Sequence, residues 1–231
     1  MPETANRRLG IVAALEREVR PLVKNWRVNE KEHNGRRFRF FENGDVVLVC
    51  GGIGAAAARR ATEAVIVGFG PKMVYSAGFA GALVPNLKVG DLIIPERVIN
   101  AGDASSTVVD GGSGVLVSFG YVAGPEQKAK LRMSFGAQAV DMEAAAVARA
   151  AEARGVAFAV VKSISDEIDF EFPATDRFVD QEGRFSAGRF ALFAALRPWL
   201  WPRVMRLAKN SNRASRALCA YLSNVSGNPA G

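Results

Sequence analysis

The stretch QAVDMEAAAVARAAEARGVAFAVVKSISD, residues 138–166, decides how this chain is to be read. QAVD is a short apolar strand, and the alanine-rich run behind it is made of strong helix formers and stops at Gly155. VAFAVVKSISD, from residue 156, is β-branched and apolar, the pattern of a strand buried on both faces. Strand, helix and strand in succession indicate an α/β protein with a mainly parallel sheet. The same grammar holds upstream. LGIVAAL (9–15) leads into a helical LEREVRPLVKNW (15–26), and 45–70 reads strand, glycine turn, alanine-rich helix. MVYSAGFAGALV (73–84), DLIIPERVIN (91–100) and GGSGVLVSFGYV (111–122) each carry a strand. The expected fold class is α/β, built on a mixed, mainly parallel twisted sheet.

Length and charge bound what such a fold can do. The 231 residues are 49% hydrophobic, enough for one domain with a sizeable core. Two distant cysteines and a single histidine give neither a disulfide framework nor a zinc set, so no metal is expected. The polar opening MPETANRRLG carries no apolar leader, and no run of about 18 apolar residues predicts a membrane span. The formal charge of +7 is uneven: Arg184 onward carries all-basic charge, leaving residues 1–183 nearly neutral. The chain therefore divides into 1–183, a nearly neutral body, and 184–231, a basic aromatic tail.

Three places carry candidate chemistry. GGIG at 51–54 lacks the G-x-G-x-x-G spacing of a dinucleotide site and reads as a tight turn with close helix packing. Asp141, Met142 and Glu143 sit where a strand turns into a helix, as caps or as carboxylates offered to sugar hydroxyls above a methionine floor. Ser163, Ser165 and Asp166 fall at the carboxyl end of a buried strand, where α/β sheets deliver their chemistry, or else cap a following helix.

Taken together, these segments resemble the purine nucleoside phosphorylase and methylthioadenosine/S-adenosylhomocysteine nucleosidase superfamily. IVAALEREVRPL resembles its opening strand and helix, YSAGFAGALVPNLKVGDLIIP its central signature, AVDMEAAAVA its ribose-binding segment, and KSISDEID the end of its catalytic strand. The resemblance implies a three-layer phosphorylase/nucleosidase-like fold and cleavage of a purine N-glycosidic bond. It implies Asp166 as the acid serving the departing base and Glu18 as the group that activates water. It further implies Glu143, Met142 and Asp141 around the ribose, with Tyr121, the Val122 backbone and Ser165 at the purine. Ala14, Gly78 and Phe79 are expected at the nucleophile pocket. Neutral departure of the base needs a proton donor, and the oxocarbenium-like sugar is stabilised by nearby carboxylates, so the chemistry agrees with these residue types.

Two departures shape the substrate expectation. Phe79 and Ser76 stand where the family has a serine contact and, in hexameric phosphorylases, a phosphate-binding arginine. Hydrolysis is favoured on this ground, with inorganic phosphate as co-substrate if the reaction is phosphorolytic and no other cofactor. The interval from Asp103 to Ser118 is short, implying a missing helix and an opened 5′ side of the ribose. With residues 188–209 rich in tryptophan and arginine, this resembles the hopanoid-associated phosphorylases. The implied substrate is adenosylhopane, a 5′-lipid-substituted adenosine releasing adenine. Trp199, Trp201, Arg203 and Arg206 are the expected contacts to an anionic membrane surface, unless the tail docks as an ordinary helix. The implied location is cytoplasmic, peripheral to the inner membrane. Nucleic acid is not an expected partner, and a homo-oligomer, a dimer first, is. A non-catalytic adenine-nucleoside binding module is the remote alternative.

Overall fold

Apolar runs and glycine turns fold in the order in which they are written. The computed structural model describes residues 8–171, 186 and 198–227. Strand β1 (Leu9–Ala13) runs into α1 (Glu16–Val23); β2 (Arg27–His33), β3 (Arg36–Asn43) and β4 (Val46–Cys50) follow, and α2 (Ala55–Phe69) returns the chain to β5 (Met73–Ala82). Short strands β6 (Leu92–Ile93), β7 (Arg97–Asn100), β8 (Ser106–Val108) and β9 (Val115–Ser118) come next. Then come α3 (Pro125–Phe135), β10 (Ala139–Asp141), α4 (Ala144–Glu152) and β11 (Ala157–Asp166). A 3-10 turn at Pro198–Leu200 opens α5 (Trp201–Val225).

The strands join in one sheet whose path is β2-β3-β4-β1-β5-β10-β9-β7-β8, with β11 on β5 and β6. Pairs β1–β4, β1–β5, β5–β11, β9–β10 and β7–β9 are parallel; β9–α3–β10 is a βαβ unit, whereas β10 and β11, joined by α4, flank β5 in opposite directions. The β2–β3, β3–β4, β7–β8, β6–β11 and β5–β10 pairs are antiparallel, so the sheet is more evenly mixed than the sequence suggested.

β5 is the axis of the site. β11 runs along one of its edges from Met73 to Gly81. The other edge is shared: β1 pairs with Met73–Ser76 and β10, antiparallel, with Gly81 and Ala82. The carboxyl ends of β1 and β10 therefore point at each other across Ala77–Ala80. Backbone edge left unpaired between converging strand ends is where a pocket forms.

Helices cover both faces, which makes the expected three layers. On β1, Ile11 and Ala13 pack with α1 and with Leu218, Cys219 and Leu222 of α5. Val12, facing the other way, joins Ala58, Ala61, Ala64 and Val65 of α2 and Val147 of α4. This is the period-2 alternation of a strand buried on both sides. Gly51 explains how closely α2 lies on the sheet: a Cβ there would stand 2.6 Å from the Ala61 Cβ. The GGIG segment is thus a packing turn.

Three local readings change and one stands. DLIIPERVIN breaks at Pro95 into β6 and β7, since proline cannot donate to a ladder. The helix after Glu143 ends at Glu152 and reaches Gly155 (φ 62°) through a turn. The interval from Asp103 to Ser118 holds β8 and β9 and no helix, the reading that stands. The β2–β3 hairpin escaped notice because RVNEKEH presents charge on both faces, as an edge strand does. The boundary at residues 183 and 184 lies outside the described residues. The later part of the tail does not stand apart: Ala214, Ser215, Leu218, Cys219, Leu222 and Ser223 of α5 are buried.

Candidate active site

Where β1 and β10 converge, a cavity of about 330 Å³ opens. Its walls include Ala14, Arg17 and Glu18 from the β1–α1 corner, Phe79–Gly81 from β5, and Asp141–Glu143 from the end of β10. Gly120–Ala123 and Lys128 close one side, Ser165 and Asp166 come from the end of β11, and Leu207 comes from α5. Residues separated by most of the chain thus meet because three strands end at one place on β5.

Glu18 enters from the first turn of α1. Its carboxylate is buried, and Oε2 has no hydrogen-bond partner. Burial, then the nearby Glu143 carboxylate, pushes its pKa up to about 7; Lys162, Arg17 and the backbone at Leu15 pull less strongly the other way. α5 props this corner from behind. Cys219 Sγ lies 3.6 Å from the Glu18 carbonyl oxygen, and Ser215 Oγ donates to the Arg17 carbonyl at 3.4 Å.

Glu143 precedes α4, whose start is assembled from distant parts. Its Oε1 accepts from the Gly54 amide at 2.8 Å, so the GGIG turn also serves the site. Oε2 accepts from the Met142 amide at 3.2 Å. Burial raises the Glu143 pKa against the pull of Lys162, and Asp141 adds to the rise. Asp141 lines the cavity, but its oxygens are already engaged. Ser118 donates to Oδ1 at 2.5 Å, and the Ala144 amide and the Lys162 ammonium both reach Oδ2 at 2.8 Å. The cap alternative for Asp141 therefore describes its contacts, while the residue also lines the cavity. Burial disfavours the charge on Lys162, yet Asp141, Glu143 and Glu18 outweigh it and raise its pKa.

Asp166 is the last residue of β11, beside a register shift between Ile164 and Asp166. Residues 167–171 directly after it are not helical, which removes the cap alternative here. Ser165 Oγ donates to Oδ1 at 2.7 Å, and Lys128 Nζ donates to Oδ2. The residues Tyr121 and Val122 line the same cavity; Tyr121 is 72% exposed at its rim, its ring edge-on to Phe119 at 5.8 Å.

The structure thus gathers Glu18, Asp141, Met142, Glu143, Tyr121, Val122, Ser165, Asp166, Ala14 and Phe79 around one cavity. Gly78 lies behind it, with room for Glu18: a Cβ there would stand 3.0 Å from Oε2. Ser76 is buried, its hydroxyl without a partner. The tail residues sit elsewhere. Trp199 and Trp201 are 71% and 51% exposed at the start of α5, Arg203 pairs with Glu171 at 3.0 Å, and Arg206 lies over the Phe170 ring. Residues 188–197 lie outside the described residues. No described helix is long and apolar enough to cross a membrane. Among the described residues no group of His, Cys, Asp and Glu side chains could hold a metal ion.

Sequence reading missed Lys128 and Lys162, both fully buried, and the Gly54 amide. Lys162 was hidden inside an apolar strand. Lys128 did leave a signal, since Lys128, Leu131 and Phe135 fall on one helical stripe at i, i+3 and i+7, with a lysine where an apolar residue belongs.

The model of the Phosphorylase superfamily matches residues 8–125 and 113–196 of this chain. A 5′-methylthioadenosine/S-adenosylhomocysteine nucleosidase of Actinobacillus succinogenes is 31% identical over 203 residues, covering 71% of this chain and 87% of the relative. An aminodeoxyfutalosine nucleosidase of Helicobacter pylori is 27% identical over 222 residues, covering 78% and 94%. Among solved structures, a methylthioadenosine/S-adenosylhomocysteine nucleosidase of Colwellia psychrerythraea in complex with adenine superposes with a TM-score of 0.73 at 22% identity, covering 96% and 95% of the two chains. The Helicobacter pylori 5′-methylthioadenosine/S-adenosylhomocysteine nucleosidase complexed with a substituted pyrrolidin-3-ol gives 0.72 at 21% identity, covering 96% and 98%. These neighbours share the fold. The chain belongs to the Phosphorylase superfamily.

Proposed function

We propose that this chain is a nucleosidase that hydrolyses the N-glycosidic bond of a 5′-substituted adenosine and releases adenine. One observation carries the reading: Glu18 is buried in the cavity with a pKa raised to about 7 and Oε2 unpartnered, the condition of a general base awaiting a water. Purine sits toward Tyr121, Val122 and Ser165, and ribose over Met142 beside Glu143. Asp166 donates a proton to the ring nitrogen N7 as the C1′–N9 electron pair moves onto the base, so that adenine leaves neutral. Glu18 takes a proton from water as the hydroxyl joins C1′, and the carboxylates around C1′ stabilise the positive charge that develops there. The named activities of the curated relatives support this chemistry.

The second reading is phosphorolysis, favoured by Arg17 in the cavity wall and Lys162 behind it. It is the weaker one because Lys162 already faces Asp141, Glu143 and Glu18, a set of carboxylates that repels a phosphate dianion. Adenine release from 5′-methylthioadenosine and from adenosylhopane, assayed with and without phosphate, separates the two. Phosphate-independent turnover is expected, and a phosphate-dependent ribose 1-phosphate product would overturn the hydrolytic reading.

The 5′ substituent we propose is a lipid, adenosylhopane being the type. It is supported by the helix-free interval at residues 103–118, by Leu207 at the cavity, by exposed Trp201 and Met205 on the same helix, and by exposed Trp199 in the turn before it. Arg203, Arg206 and Lys209 flank these apolar groups, the pairing that suits an anionic bilayer surface. The division of domain (1–183) from tail (184–231) then gives membrane contact to the start of α5 and its anchoring to the later half. The cytoplasmic face of the inner membrane is the proposed location. A homo-oligomer is also proposed, although Ala57, Ala58, Ala144 and Ala145 are buried within this chain, leaving Ala55 and Ala56 exposed.

A further inference from the structure

Lys128 is the largest departure from ordinary economy in this molecule. α3 buries two residues, Leu131 and Lys128, and the lysine is 0% exposed. An uncharged side chain of similar length would hold α3 in place without an ammonium being taken out of water. The fold therefore gives no reason for a lysine. Its contacts give one. Nζ donates to Asp166 Oδ2 and, at 2.6 Å, to the Glu167 carbonyl oxygen, so one cation grips both the carboxylate and the backbone that carries it. β5 has left room for this: a Cβ on Gly81 would stand 2.7 Å from Asp166 Oδ2 and 3.2 Å from Lys128 Cε. Ser165 holds the other oxygen at 2.7 Å. Both oxygens of Asp166 are thus addressed from fixed directions.

We propose that Lys128 is a positioning residue for Asp166, acting on the reaction through that carboxylate and not through the substrate. The inference rests on the assignment of Asp166 as the group serving the departing base. Asp166 follows a register shift, at the last residue of its strand, where the ladder no longer dictates where a side chain points. Lys128 replaces the missing constraint from α3. A positioning group of this kind changes how often the bound substrate meets the carboxylate in the reactive arrangement, so its loss lowers kcat and leaves KM nearly unchanged. Arginine keeps the charge and offers several donors, and it restores part of what a neutral residue loses.

The test is a double-mutant cycle on the full chain with 5′-methylthioadenosine as substrate. D166N alone tests the assignment of Asp166, independently of Lys128. K128M is then measured in the wild-type and D166N backgrounds, with K128R beside it. Expected are a kcat loss of about 10²-fold for K128M in the wild-type background, a loss below about 3-fold in the D166N background, and partial recovery in K128R. An equal loss in both backgrounds overturns the proposal and makes Lys128 a structural residue. A raised KM at unchanged kcat overturns it in favour of substrate contact. Should K128M fail to fold, K128Q and K128R carry the same cycle, and equal kcat for these two would overturn it as well.

Discussion

Two carboxylates face the cavity from opposite ends, and their surroundings differ in kind. Glu18 lies over Gly78, buried, with Oε2 unpartnered and its pKa raised to about 7. Asp166 lies over Gly81, three residues along the same strand, with Ser165 on one oxygen and Lys128 on the other. One strand seats both acids on glycines, yet one keeps an oxygen without a partner and the other is clamped at both. A group that must take a proton from a mobile water gains from an unpartnered oxygen. A group that must meet one atom of a bound ring gains from a fixed one. The difference in environment is what assigns two like residues to two tasks.

The strongest way to break this comparison is to neutralise each end in turn. D166N is expected to lower adenine release by about 10²–10⁴-fold with the fold intact. Turnover within a few-fold of wild type would take Asp166 out of the chemistry. E18Q is expected to cost about 10²-fold at neutral pH. It should also remove a pH limb. Glu18 acts as a base when ionised, so wild-type kcat/KM should rise as pH passes about 7 and level off above it, and this limb should vanish in E18Q. Stability runs the opposite way. The folded pKa lies above the usual 4.5, so this group's contribution is fully present below 4.5 and is lost as pH rises through about 7. Urea midpoints of wild type and E18Q across that window check the sign.

The glycine seats sharpen the comparison. G81A places a Cβ 2.7 Å from a clamped oxygen and is expected to lower kcat by about 10–100-fold. G78A places one 3.0 Å from an oxygen with no partner to hold it, so Glu18 can shift and the loss should stay within about 10-fold. The reverse order of the two losses would mean that Glu18 is the more constrained acid. The smallest effect is expected at the start of α5. Replacing Trp199 and Trp201 with alanine should leave cleavage of 5′-methylthioadenosine within about 2-fold, because both are exposed surface residues. The same variant should lose anionic-vesicle binding and slow on a lipid-linked substrate. Equal losses on both substrates would make the tryptophans part of the fold.

The sequence by itself determined the α/β class, the order of most elements, and the acids Glu143 and Asp166 as candidates, while Glu18 was named only through the family resemblance. Strand and helix periodicity, glycine stops and carboxylates at strand ends are local signals, readable within a dozen residues. Tertiary structure decided what holds those acids. Lys128 reaches Asp166 across 38 residues and the Gly54 amide reaches Glu143 across 89. Asp141, a candidate ribose contact from its position alone, is occupied by Ser118, Lys162 and the start of α4. A carboxylate's neighbours are chosen by which strand ends meet on β5, and sheet order follows from burial of both faces at once. No stretch of chain contains that condition by itself, so a sequence can show that an acid is present while only the fold shows whether it is free, loose or clamped.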